Sequence, residues 1–273
     1  IIVSFYGVDI SQSLKDIRIL KSYKKIFKKG LIFHVLCEEA KTRLVSIGCP
    51  EGKIRIQNLP VDLNNIPFIG SHLSNKTRFL IPARFVEKKG HIILLQAFKK
   101  LVDEGLSVEL TCFGYGPTSW LKDEIRKHDL DGYVRLINNN QTDNFLEEYL
   151  SVLRSHDVIL APSVTASSGD DEGGPALTVI MAQAAGKPVV LSNFPGSERS
   201  VTNLKEGLIV KENSVVELTE AMSRLVGNAS EWDRLGKAGS LRVRNEFSKE
   251  SYWNSLDEWY EYCLRSNKGY IKG

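Results

Sequence analysis

The chain has 273 residues, 42% hydrophobic and 25% charged, a length and composition that fit two ordinary globular domains, or one and a half. A net charge of +3 is too small to argue for nucleic acid, and no apolar run reaches the ~18 residues of a membrane span. The four cysteines, Cys37, Cys49, Cys112 and Cys263, are scattered without a CxxC or a Cys/His ligand spacing, which fits a reducing cytosol.

The chain opens at Ile1 on a strand, Ile1-Ile2-Val3-Ser4-Phe5, with no earlier partner, which suggests a fragment. Ser11 or Ser13 could cap a helix over 14–29, whose Leu14, Ile17, Leu20, Tyr23 and Phe27 recur at helical spacing. Its other face carries Lys15, Arg18, Lys21, Lys24, Lys25, Lys28 and Lys29 against Asp16 alone. Such a face suits an anionic membrane surface, and equally a solvated surface on a packed helix. A strand over 31–36, a helix over 39–47 and a strand over 54–58 follow. The polar residues 63–76 read as a linker.

A second domain opens with a strand over 78–83, the loop Arg84-Phe85-Val86-Glu87-Lys88-Lys89-Gly90 and a helix over 91–104. The strand over 108–113 ends in Gly114-Tyr115-Gly116-Pro117. This turn lacks the third glycine and the acidic residue of a dinucleotide fingerprint. A helix over 120–128 leads to a strand over 134–137 that ends at Asn138-Asn139-Asn140. Asp143 could cap a helix over 144–155.

The central stretch runs from Asp157 to Val190. Residues 157–162 read as a buried strand closed by Pro162, followed by a small-residue polar loop over 163–171. Glu172-Gly173-Gly174-Pro175 feeds a buried helix over 176–185. Its glycines would let backbone approach a ligand, and its proline suits a first helical turn. Gly186 ends that helix, and Lys187-Pro188-Val189-Val190-Leu191 starts another buried strand. The polar loop then lies at the carboxyl end of a strand, where open α/β sheets bind ligands. The helix start offers free N–H groups to an anion or a sugar hydroxyl. Asp170-Asp171-Glu172 could be read as a metal site, but three adjacent carboxylates on a loop are usually solvated. The five histidines show no ligand pattern. A short last strand over 208–210 and helices over 215–226, 231–247 and 253–265 complete the chain. The final helix carries an aromatic stripe, Trp253, Trp259 and Tyr260, read as packing.

Pro162-Ser163, Glu172-Gly173, Pro175, Gly186 and Pro188-Val189-Val190 together resemble the retaining glycosyltransferases of the GT-B group, family 4 (glycosyl transferases group 1). The run from Ser163 to Gly173 is most similar to the colanic-acid and exopolysaccharide type. Arg84 with Lys89 and Gly114-x-Gly116-Pro117 match further family motifs, and Phe5-Tyr6-Gly7-Val8-Asp9 stands where the family has Phe-His-Gly-x-Asp, with Tyr6 replacing the His. The resemblance implies an α/β fold of two Rossmann-like doubly wound parallel-sheet domains, the first incomplete. These would be residues 1–75 on the acceptor side, 76–247 for the nucleotide sugar, and 248–273 as a helix packing back on the first.

It further implies transfer of a hexose, with retention, from a nucleoside-diphosphate sugar to a saccharide or lipid-linked acceptor in exopolysaccharide or lipopolysaccharide synthesis. No metal, cofactor or nucleic acid is expected. The setting would be cytoplasmic, peripheral on the inner membrane face. Arg84 and Lys89 would neutralise the diphosphate. Glu172 would hold the sugar, with the backbone of Gly173, Gly174, Pro175, Ala176 and Leu177. Gly114, Gly116 and Asn139 would lie near the nucleotide, and Tyr6 on the acceptor side. The family has a second Glu eight residues after the first, on the ribose. Here that position is Ile180, or Met181 if the helix is registered on Gly186. Neither accepts a ribose hydroxyl, so an impaired transferase is expected, or a non-catalytic nucleotide-sugar-binding or partner protein.

Overall fold

The computed structural model describes residues 1–71, 74–139 and 144–267. The first part alternates β1 (Ile2–Ser4), α1 (Ile17–Lys29), β2 (Ile32–Val35), α2 (Glu38–Ser46) and β3 (Ile54–Ile56). The second begins with β4 (Thr77–Pro82), α3 (His91–Asp103), β5 (Val108–Gly114), α4 (Ser119–Lys127), β6 (Val134–Asn138) and α5 (Phe145–Arg154). It continues with β7 (Val158–Ala161), α6 (Leu177–Ala184), β8 (Val189–Ser192), α7 (Ser197–Ser200) and β9 (Leu208–Val210). Helices α8 (Val215–Leu225), α9 (Ala229–Glu246) and α10 (Lys249–Asn267) follow.

Every strand pair is parallel, in a sheet ordered β1-β2-β3 and a sheet ordered β6-β5-β4-β7-β8-β9. Alternation along the central strands divides the second core in two. Phe79, Ile81, Val158 and Leu160 pack with Leu94, Phe98, Leu218, Met222 and Trp232 on the α3, α8 and α9 side. Leu80, Ile159, Val189 and Leu191 pack with Tyr149, Leu153, Val179 and Ile180 on the α5 and α6 side. Both faces are covered, which is why these strands read as unbroken apolar runs. Beneath the amino ends of β4 and β7, Asp157 accepts from Arg78 N at 2.8 Å, Nε at 3.1 Å and Nη2 at 2.9 Å. Lys187 Nζ donates to His156 O at 2.7 Å, and burial pulls this ammonium down to about 8.

Three local expectations change. Helix α1 starts at Ile17 rather than at 14, because Asp16 accepts the Arg18 backbone N–H and caps it in place of Ser11 or Ser13. Asn144 caps α5 by accepting from Glu147 N, while Asp143 lies outside the described residues. The polar stretch read as a linker is docked: Leu63 and Ile66 are buried in the second core. Ile69 N and Gly70 N donate to Ala185 O at 2.8 and 3.0 Å, and Arg244 donates to Leu63 O and Ile66 O. In the three-stranded half, Phe5, Phe27, Phe33 and Leu44 form a core of their own. Helix α10 returns to that half and buries Trp259 and Cys263 on Ile32.

Gly236, inside α9, shows packing overriding helix propensity. A Cβ there would stand 2.1 Å from Gly186 O, a backbone atom that no rotamer change can move. Propensity alone would favour Gly236→Ala by about 0.8–1 kcal/mol. Overpacking costs about 1–3 kcal/mol and wins. Gly236→Ala should therefore lower the urea midpoint; a raised midpoint would refute the contact.

Candidate functional site

The order of the second sheet reverses between β4 and β7, and ligands bind open α/β sheets in the crevice beyond such a point. A cavity of about 310 Å³ opens there. Its wall is built from Arg84 and Lys89 after β4, Gly114 and Tyr115 at the end of β5, and Phe145 at the start of α5. Glu172, Pro175, Ala176, Leu177 and Thr178 close it around the start of α6. The chain thus brings Arg84, Lys89, Gly114, Glu172, Pro175, Ala176 and Leu177 of the expected set to one place.

Lys89 Nζ stands 2.5 Å from Glu172 Oε1, and Ser163 Oγ donates to the same oxygen at 2.9 Å. Arg84 is exposed at the cavity, with no carboxylate paired to it among the described residues. Gly90, at a φ of 71°, takes the left-handed conformation that ends the Lys88-Lys89 turn and opens α3. His91, the next residue, is buried against Phe85 and Trp120. Burial lowers its pKa to about 3, so it is neutral.

The carboxylate run is not solvated. Asp171 is 5% exposed and Glu172 8%, and each member of the run has its own cation. Lys88 donates to Asp170 Oδ1 at 3.1 Å, and Arg43 of α2 grips Asp171 through two bonds at 3.0 and 2.5 Å. Lys89 holds Glu172. Ser11 Oγ also donates to Asp170, and Lys15 Nζ to Ser168 O. The reason is local: a buried carboxylate must be paired, and this loop runs between two halves that each supply cations. Among the described residues, no three His, Cys, Asp or Glu side chains group as metal ligands.

Other expected residues are arranged differently. A Cβ on Gly173 would meet Gly7 N at 2.0 Å, and one on Gly174 would meet Leu36 Cβ at 2.4 Å. The glycines are required by the close approach of the three-stranded half, and neither lines the cavity. Pro175 precedes the cap residue Ala176 rather than filling the first helical turn. The Tyr6 backbone reaches Gly173, but its hydroxyl is engaged by His34 Nδ1 at 2.8 Å. His34 Nε2 lies 2.8 Å from Gln57 O and so carries the proton, and the Tyr6 hydroxyl donates to Nδ1. Burial raises the Tyr6 pKa and lowers that of His34, so both are neutral at pH 7.

Gly116 and Asn139 lie beside the cavity rather than on its wall. Asn138 Nδ2 donates to Gly116 O, Asn139 N donates to Gly114 O, and Asn140 lies outside the described residues. Met181 is half-buried against the core behind α6, and Ile180 is fully buried in it. Neither lines the cavity. Sequence reasoning missed Arg43, Lys88 and Ser163, and also Phe145. Lys88 sits beside Lys89 and Ser163 follows Pro162 in the motif after the strand, so both had a local signal. Arg43 had none.

The family model for glycosyl transferases group 1 matches residues 64–242, and the chain belongs to that family. It is 28% identical over 259 residues to the amylovoran biosynthesis glycosyltransferase AmsK of Erwinia amylovora, covering 94% of this chain and 62% of that protein. It is 26% identical over 246 residues to the capsular polysaccharide biosynthesis glycosyltransferase CapM of Staphylococcus aureus, covering 89% and 61%. The chain thus spans about three fifths of the length of these curated relatives.

Among solved structures, a glycosyltransferase from Rickettsia africae ESF-5 superposes with a TM-score of 0.76 at 20% identity, over 96% of this chain and 70% of that one. Anabaena HepE in complex with UDP and glucose superposes with a TM-score of 0.80 at 14% identity, over 95% and 71%. These likenesses, with the parallel sheets, make the fold α/β of the GT-B kind.

The positions of Ile180 and Met181 predict opposite responses to a carboxylate. Ile180→Glu buries an unpaired charge and should cost about 3–5 kcal/mol in urea unfolding. Met181→Glu, at a half-buried position, should cost under about 1.5 kcal/mol. Equal losses would show that the two side chains share one environment.

Proposed function

We propose that this chain is a retaining glycosyltransferase of family 4. It moves a hexose from a nucleoside-diphosphate sugar to a saccharide or lipid-linked acceptor in exopolysaccharide or lipopolysaccharide synthesis. The observation that carries this reading is the meeting of Arg84, Lys89 and Glu172 at one cavity at the point where the sheet order reverses. The names of the relatives, which make amylovoran and capsular polysaccharide, support the class of product. The UDP and glucose in HepE support the class of donor.

As the bond from the anomeric carbon to the diphosphate breaks, negative charge gathers on the departing diphosphate. Arg84 and Lys89 neutralise it, so no metal is needed. Lys89 is held by Glu172. A bound diphosphate draws Lys89 away and frees the Glu172 carboxylate for sugar hydroxyls. Backbone N–H groups at the start of α6 complete the sugar site. Gly114, Gly116 and Asn139 flank the nucleotide, and Tyr6 stands on the acceptor side. No carboxylate stands at Ile180 or Met181, and on this reading donor binding is impaired to that extent.

The test is calorimetric titration with UDP and GDP. Hydrogen bonds to charged groups contribute about 1.5–3 kcal/mol. Lys89→Ala and Arg84→Ala should each weaken binding by roughly tenfold or more. Equal affinity in variant and parent would remove both residues from the site.

The acceptor side carries a second expectation. Lys21, Lys24, Lys25, Lys28 and Lys29 of α1 are exposed and have no ion-pair partner among the described residues, and Ile17 beside them is 63% exposed. No described helix is long and apolar enough to cross a membrane. We read α1 as resting on an anionic membrane, the cytoplasmic face that would present a lipid-linked acceptor. Attraction of about 1 kcal/mol per basic residue should fade with salt. Co-sedimentation indifferent to the anionic lipid content of vesicles would refute it.

A further inference from the structure

The cavity that holds Arg84 and Lys89 has an aromatic wall that no charge chemistry explains. Phe145, the first residue of α5, lines the cavity and is 39% exposed. It lies nearly parallel to Tyr149, with ring centroids 5.7 Å apart and planes 18° from each other. Tyr149 is fully buried and stacks in turn on Phe113, at 6.2 Å and 19°. The Tyr149 hydroxyl donates to Thr178 O at 2.7 Å, which ties this cluster to the first turn of α6. Phe145 is thus a ring fixed from behind and open in front. An exposed aromatic ring at a cavity normally costs burial energy, and a planar π-system is what covers it best.

The polar partners of the cavity point the same way. Among the described residues lining it, Glu172 is the only carboxylate, and the proposed function commits it to the hydroxyls of the transferred sugar. Leu177, 44% exposed, and Pro175 present apolar surface beside it. Nothing on that wall competes for ribose hydroxyls as a carboxylate would.

We propose that Phe145 is the stacking platform for the nucleotide base. A nucleoside diphosphate is then held by its base and its diphosphate, with little demand on the ribose hydroxyls. This rests on the reading of the cavity as a nucleotide-sugar site, and it names the residue that selects for a base within it. Phe145 acts as a binding residue. Its contact is made by any planar base, so stacking alone does not choose between uridine and guanosine.

The experiment titrates parent, Phe145→Ala and Phe145→Trp with UDP, GDP, their 2′-deoxy counterparts and inorganic pyrophosphate. Phe145→Ala should lose roughly five- to a hundredfold in affinity for both nucleotides and keep its affinity for pyrophosphate. Phe145→Trp should retain nucleotide binding. Its added emission should be quenched by UDP or GDP and not by pyrophosphate, a signal that a purely structural role would not produce. The 2′-deoxy forms should bind within about threefold of the ribose forms, far from the loss that an unmade charge-assisted bond would cause.

The stacking role is overturned if Phe145→Ala binds nucleotides like the parent, or loses nucleotide and pyrophosphate alike. It is overturned also if the tryptophan variant binds nucleotide with unchanged emission, or if 2′-deoxy forms bind more than about tenfold more weakly. A parent that binds pyrophosphate but no nucleotide refutes the stacking role and leaves the anion site standing. A parent that binds neither refutes the nucleotide-sugar reading itself, and this inference with it.

Discussion

Three successive carboxylates, Asp170, Asp171 and Glu172, each pair with a different cation, and the arrangement of the site depends on that. Lys88 and Lys89 come from the turn after β4, and Arg43 comes from α2 in the other half of the molecule. A buried carboxylate left alone would cost several kcal/mol or take up a proton. The loop after β7 is polar and builds no core of its own. These pairs hold it, together with Glu87, which accepts from Ser167 N and Oγ. One tripeptide therefore fastens the loop after β7 to the turn after β4 and to the three-stranded half at once.

The same pairing joins a cation and a carboxylate at the cavity wall. Lys89 and Glu172 neutralise each other. Ser163 Oγ donates to the same carboxylate oxygen, so Glu172 has a second partner besides Lys89. Arg43 and Lys88 do not line the cavity. They keep the neighbouring carboxylates paired. The aromatic cluster of Phe113, Phe145 and Tyr149 anchors the other wall through Thr178. The start of α6 thus receives one fixed side from charge and another from packing.

The two halves meet along glycine. Gly173 lies against Tyr6 and Gly7, and Gly174 between Leu36 and Gly196. Backbone in such contact leaves no room for a side chain, so these positions serve the closeness of the halves before they serve a ligand. Helix α10 closes the connection from the far side. Its Trp259 packs 5.1 Å from His34, whose ring in turn takes the Tyr6 hydroxyl. The residue expected to face the acceptor is thereby set by a helix near the end of the described chain.

The amino-acid sequence by itself marked most of the elements and several residues that the fold gathers at one cavity. Apolar runs marked the parallel strands, because strands covered on both faces have no polar side to show. The Arg84 to Gly90 turn and the Glu172 to Gly186 block marked where ligands would lie, because each sits between a strand end and a helix start. Only the tertiary structure decided the rest. Lys89 and Glu172 are separated by 83 positions, and Arg43 and Asp171 by 128. Such pairs depend on which strands become neighbours, and local periodicity carries no record of that. For the same reason Ile180 and Met181 could not be told apart as letters, whereas in the fold one points into the core and the other lies half-buried. Phe145 read as one apolar residue among many. It became part of a site only when the crossing from β6 to β7 set it beside the end of β5.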